Sequence, residues 1–169
     1  MSTKRDARPS IVWHYTVETF CLPGILADGA IHTTDGGLGA KERPAVWFSR
    51  RHSWEPTALK GLIDPETGVR RNATFAEMAS DLGLARIGVR PDGLTTWLEH
   101  RRIGGIPADE ARWLVKSAIM LGSNPGDWFV DYGDVTRDRW VTVQRWDDGV
   151  WVDCEVGCSH NTGRLAASA

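Results

Sequence analysis

The sequence predicts one α+β domain, in which some six short, mostly antiparallel strands pack with two or three helices. Three observations carry this expectation. Apolar and aromatic runs with polar flanks recur at 11–16, 45–50, 84–89, 127–132, 140–146 and 150–155, as strands of a packed sheet do. Only 107–121 carries a long helical stripe. The last two strands are joined by Asp147-Asp148-Gly149, which reads as a hairpin turn. At 169 residues the chain suits a single domain, and no internal repeat is found.

In chain order, residues 1–10 read as a disordered leader. The first strand, Ile11-Val12-Trp13-His14-Tyr15-Thr16, alternates faces: Val12, His14 and Thr16 share one side, Trp13 and Tyr15 the other. Thr16 is expected to cap a short helix over 22–28, with Leu22, Ile25 and Leu26 as its buried stripe and Gly29 at its end. Residues 30–33 read as extended. The run Asp35-Gly36-Gly37-Leu38-Gly39 lacks the strand–GxGxxG–helix context of a dinucleotide fold and reads as a loop. The strand ending Trp47-Phe48-Ser49 leads into Arg50-Arg51-His52-Ser53-Trp54-Glu55-Pro56-Thr57, a loop dense in reactive side chains. Residues 61–72 hold turn signals and are expected to be exposed. Thr74 and Glu77 have capping-box spacing for a helix to about 82. Residues 97–101 read as a helical turn. Pro107 opens the helix over 107–121, whose stripe is Ala111, Leu114, Val115 and Ala118. Residues 157–169 read as a flexible tail after a domain spanning 11–156.

The chain is 41% hydrophobic and 25% charged, with a net charge of −2, so it is expected to be soluble and to lack a global field for nucleic acid. No apolar run approaches the roughly 20 residues of a membrane span, and no secretory leader is read, which gives a cytoplasmic expectation. Of 20 basic residues only Lys4, Lys41, Lys60 and Lys116 are lysine. Nine tryptophans suit both half-buried core positions and the wall of a slot for a planar ring. Cys21, Cys154 and Cys158 are too few, and odd in number, for a disulfide framework. Cys154, Cys158 and His160 have the spacing of half a zinc site without a second half, so no metal is expected.

Trp13-His14-Tyr15-Thr16, the segment Leu22-Pro23-Gly24-Ile25-Leu26-Ala27-Asp28-Gly29, and Val46-Trp47-Phe48-Ser49 together resemble the N-terminal half of the ADP-ribosyltransferase fold. The similarity is to the DarT-type DNA ADP-ribosyltransferases and the KptA-type RNA 2′-phosphotransferases. It covers about residues 11–50 by motif, and 84–155 only in the order of elements. It implies a split antiparallel sheet and NAD as substrate. Cleaving the nicotinamide–ribose bond passes through an oxocarbenium-like state, which calls for a flat slot, a ribose clamp and a nearby negative charge. By resemblance, His14 holds ribose hydroxyls with Tyr15 and Thr16 beside it. Trp47 or Phe48 walls the nicotinamide slot with Ser49 at its edge. Arg86, or Arg50 and Arg51, takes phosphate.

One departure is plain. Transferring members of the fold place a Glu at the start of a late strand; the corresponding region here, 126–132, offers Asp127 and Asp131. Asp131 is the preferred acid, with Glu55 as an alternative and Glu155 a weaker one. The expected activity is ADP-ribosyl transfer to a macromolecule, a nucleic-acid base or a protein side chain, in a toxin or phage-defence setting. Two other readings stay open: a nucleic-acid-acting phosphotransferase or base-directed glycosidase, and a catalytically inactive nucleotide-binding module. Neither the acceptor nor the oligomeric state is legible.

Overall fold

The structure, a computed structural model, describes residues 10–154 apart from 37, 38, 40 and 65. The leader expected at 1–10 lies outside the described residues except for Ser10, as do the tail, Glu155, Cys158 and His160. The strands are β1 (Val12–Val17), β2 (Ala30–Ile31), β3 (Val46–Ser49), β4 (Gly61–Ile63), β5 (Arg70–Asn72), β6 (Leu84–Val89), β7 (Thr95–Thr96), β8 (Trp128–Asp131), β9 (Val135–Thr136), β10 (Trp140–Asp147) and β11 (Val150–Asp153). The helices are α1 (Cys21–Asp28), α2 (Phe75–Glu77), α3 (Trp97–Ile103) and α4 (Ala108–Met120). The architecture is mixed, with a largely antiparallel sheet, compatible with the α+β class. The strands outnumber the six expected because short pairings, such as β2 with β9 and β4 with β5, carry no periodicity of their own.

Seven strands form the main sheet in the order β11-β10-β6-β1-β3-β8-β7. β1 sits near its middle because both of its faces are apolar or aromatic, and a strand covered on both sides must be central. It pairs with β6 along its whole length, from Val12 opposite Val89 to Val17 opposite Leu84. Gly88 lies opposite Trp13, and a Cβ there would come within 2.9 Å of the indole; the missing side chain lets the ring lie across β6. On its other side β1 meets β3 at a single pair, Trp13 opposite Ser49. Past that pair no further ladder pair joins the two strands, which leaves a local split within one continuous seven-stranded sheet.

One core lies where Val12, Phe48, Ile87 and Val143 meet Leu22 of α1. A second lies under α3 and α4, where Trp97, Ile106, Ala118 and Trp128 gather with Trp47 against them. α1 starts after Phe20, which makes no side-chain cap, so Thr16 stays in β1 instead of capping the helix; Gly29 ends it in the left-handed conformation. The capping box of Thr74 and Glu77 forms, and the helix continues as π-helix over Met78–Leu82. A second capping box, Thr96 with Glu99, extends the turn expected at 97–101 into α3. Asp148 and Gly149 both take positive φ, the primed turn that matches strand twist, and close β10 onto β11. No helix among the described residues is long and apolar enough to cross a membrane.

Candidate functional site

A cavity of about 610 Å³ occupies the split between β1 and β3. Its lining takes four consecutive residues from each strand, Trp13 to Thr16 and Val46 to Ser49. Strand side chains alternate, so a pocket on one face of a sheet would take every second residue. Contact with all four means that the cavity opens where the two backbones separate. Its volume falls within the roughly 300–1,000 Å³ of small-molecule sites.

His14 makes a contact of the split itself. Its Nδ1 donates to the Trp47 carbonyl at 3.0 Å, where a regular ladder would offer that oxygen a backbone N–H. Burial lowers the imidazole pKa to about 4, the Trp47 carbonyl opposes this, and the positive charge of Lys60 adds to it. The ring is therefore neutral at pH 7. With the proton on Nδ1, Nε2 keeps its lone pair as an acceptor at the cavity wall. Phe48 stands edge-on to the ring with centroids 6.0 Å apart. Trp47, one residue along, turns to the other face and packs against Trp97, Trp128 and the buried His100. Phe48 is thus the aromatic partner of His14, and Trp47 belongs largely to the second core.

The acid in the cavity is Glu55, 4% exposed. Its Oε2 accepts from Ser49 Oγ at 2.7 Å. Its Oε1 accepts from Thr57 Oγ1 at 2.8 Å, from the Thr57 N–H at 3.3 Å and from Ser123 Oγ. No cation pairs with it among the described residues. A buried carboxylate is tolerated when hydrogen bonds replace its water, and hydroxyl and amide donors supply them here. Ser49 comes from the end of β3, Thr57 from the loop that carries Glu55, and Ser123 from the turn after α4. Oε1 is saturated, whereas Oε2 has one protein donor and room for another.

Among the residues expected at the site, His14, Tyr15, Thr16, Trp47, Phe48, Ser49 and Glu55 line this cavity. Tyr15 directs its phenol to the Arg51 carbonyl and its ring toward Trp54 and Trp151, and burial pushes its pKa up to about 12. Four expected residues, Asp131, Arg86, Arg51 and Arg50, lie apart. Asp131 pairs with Arg139 at 2.5 Å and accepts from the Gly133 N–H at 2.9 Å; the carboxylate is spent locally and does not line the cavity. Arg86 lies 3.7 Å from the centroid of Trp13 and 4.3 Å from that of Trp151, and it donates to Gln144 and to the His52 carbonyl. It braces β1, β6 and β10 and does not reach the cavity. Arg51 donates to the Gly122 carbonyl, and Arg50 lies over the Phe129 ring at 5.0 Å.

Sequence reasoning missed Thr57, Ser123, Lys60 and His32. Thr57, two residues after Glu55, had a readable local signal. Ser123, 68 residues away from Glu55, had none. His32 lines the cavity and bridges Asp134 at 2.8 Å and Asp28 at 3.3 Å, and both carboxylates, Asp134 first, raise its pKa. Among the described residues no three His, Cys, Asp or Glu side chains gather as a metal site. Comparison with protein-family models, with curated proteins and with solved structures found no match to the chain.

Proposed function

We propose that the chain is an NAD-consuming ADP-ribosyltransferase acting on a macromolecular acceptor, a nucleic-acid base or a protein side chain. The observation that carries this reading is Glu55: a buried carboxylate, unpaired with any cation among the described residues, in one cavity with a neutral imidazole and an aromatic ring. A carboxylate so held is a fixed negative charge that needs no reorganisation when a cation develops beside it. In the reaction the nicotinamide–ribose bond breaks and its electron pair leaves with the nicotinamide nitrogen. The positive charge appears at ribose C1′. Glu55 Oε2, with a lone pair to spare, receives a ribose hydroxyl and faces that charge. His14 Nε2 accepts a second hydroxyl, and Phe48 offers its ring to the flat base. The acceptor attacks C1′, forms the new glycosidic bond and gives up its proton.

Glu55 takes the role expected of a late-strand glutamate, and Asp131 leaves the proposal because Arg139 neutralises it outside the cavity. The test is release of nicotinamide from NAD together with a mass gain of one ADP-ribose unit on an acceptor. Both are expected with the wild-type chain and lost in Glu55→Gln and His14→Ala. Binding of NAD with no release of nicotinamide would leave a nucleotide-binding module.

A further inference from the structure

Lys60 stands out on the cavity wall. It is the one lysine or arginine among the described lining residues. Its side chain is half-buried, and no carboxylate lies within ion-pair distance of it among the described residues. Glu55 lines the same cavity but gives its oxygens to Ser49, Thr57 and Ser123. The other basic groups of the wall are committed: His32 sits between two carboxylates, and His14 donates to Trp47. The lysine is also held in place. Its carbonyl accepts from the Ala73 N–H at 2.8 Å, which ties the start of the β4–β5 hairpin to a third core, formed by Val17, Ala73, Met78 and Leu84. Leu59, next to it, packs into the same core. A backbone anchored at the cavity wall and a cation with no counter-charge among the described residues are the features of a site completed by an anion.

We infer that Lys60 forms an anion subsite of the split-sheet cavity, taking the phosphate of a nucleotide bound with its sugar toward His14. The inference deepens the transferase reading, since NAD carries a pyrophosphate, and rests on it for the identity of the ligand. It replaces the arginines expected to bind phosphate: Arg86 is engaged with Gln144 and the His52 carbonyl, and Arg51 with the Gly122 carbonyl. The charge of Lys60 also helps to keep the His14 ring neutral.

The experiment titrates the full chain and its Lys60→Met variant with ADP-ribose, inorganic pyrophosphate, adenosine and nicotinamide, followed by calorimetry. Methionine keeps the stem and removes the charge; thermal melting checks that the variant folds, and Lys60→Arg serves as a charge-retaining control. The wild type is expected to bind ADP-ribose more tightly than adenosine. Lys60→Met should lose about tenfold or more of the ADP-ribose affinity, as loss of a charge-assisted contact does. Its adenosine and nicotinamide affinities should not change, and Lys60→Arg should restore most of the loss. Equal ADP-ribose affinity in wild type and Lys60→Met overturns the subsite, as does failure of both phosphate ligands to bind. If ADP-ribose binds in a Lys60-dependent way but NAD is never cleaved, the subsite stands and the transferase reading falls. If NAD is cleaved with an unchanged KM in Lys60→Met, the reverse holds.

Discussion

Removing the Ser49 hydroxyl should destabilise the protein well beyond what a small side chain at a strand end would suggest. In Ser49→Ala, Glu55 Oε2 loses its 2.7 Å donor, and the Arg51 N–H loses the acceptor it holds at 3.2 Å. Ser49 is 2% exposed and Glu55 is 4% exposed, so water reaches the vacated position only through the cavity, and a mobile water replaces a fixed hydroxyl only in part. Leaving a buried charged group short of a partner costs about 1–3 kcal/mol, and the orphaned amide adds to it, for about 2–3 kcal/mol in all. For a chain of this size that is a fall in Tm of about 4–12 °C. The assay is urea denaturation followed by tryptophan fluorescence, with Glu55→Gln and the double variant completing a cycle. Glu55→Gln keeps the shape and lets the hydroxyls turn to its carbonyl, so its own cost is smaller. The cycle should return a coupling of at least about 1 kcal/mol, because each change removes the charge-assisted character of the same hydroxyl–carboxylate contact. A Ser49→Ala cost under about 0.5 kcal/mol, or strict additivity with Glu55→Gln, would refute the idea that this pair is a buried charge-assisted bond.

Two further outcomes follow from the same geometry. The His14 pKa of about 4 in the folded chain lies below the ordinary 6.5, so protons favour the unfolded chain between these values. The stability from the neutral ring is complete above pH 6.5 and falls away as pH drops toward 4; between pH 7 and 4.5 the loss is about 2–3 kcal/mol. His14→Asn, which keeps an amide donor for the Trp47 carbonyl and cannot titrate, should lack this component in denaturation curves at the two pH values; equal slopes in both proteins would count against it. Asp131→Asn should cost about 1 kcal/mol of stability through its pairing with Arg139 and leave nicotinamide release within about twofold of wild type. A loss of activity as deep as that of Glu55→Gln would return Asp131 to the site.

The parts of the molecule legible in the sequence are those with local signals. β1 and β3 follow from aromatic and β-branched runs, α4 from its spacing and its proline start, and the β10–β11 turn from Asp148-Gly149. Thr74 and Glu77 announced their capping box; Thr96 and Glu99 had the same spacing and were overlooked, which shortened α3. The pairing of β2 with β9 joins residues about a hundred positions apart in two-residue strands, too short for any periodicity to form. At the site, faces were legible and partners were not. Alternation put Trp47 and Phe48 on opposite faces without saying which of them meets His14; the structure brings Phe48 to it. Whether a carboxylate turns to a cavity or to an arginine depends on what the fold brings near it. Asp131 met Arg139, eight residues on, whereas Glu55 met Ser123 across the chain. Arg86, expected to take phosphate, is a structural charge: the faces of Trp13 and Trp151 make room for it.

The proposed role of Glu55 is tested most directly by nicotinamide release from NAD, measured by chromatography for wild type and Glu55→Gln at matched concentrations of folded protein. Wild type should release nicotinamide in proportion to time and protein, and Glu55→Gln should be slower by about 10²–10³-fold, the usual cost of removing one preorganised electrostatic group. Equal rates in the two proteins, or no release from a wild-type chain that binds no NAD, would contradict it.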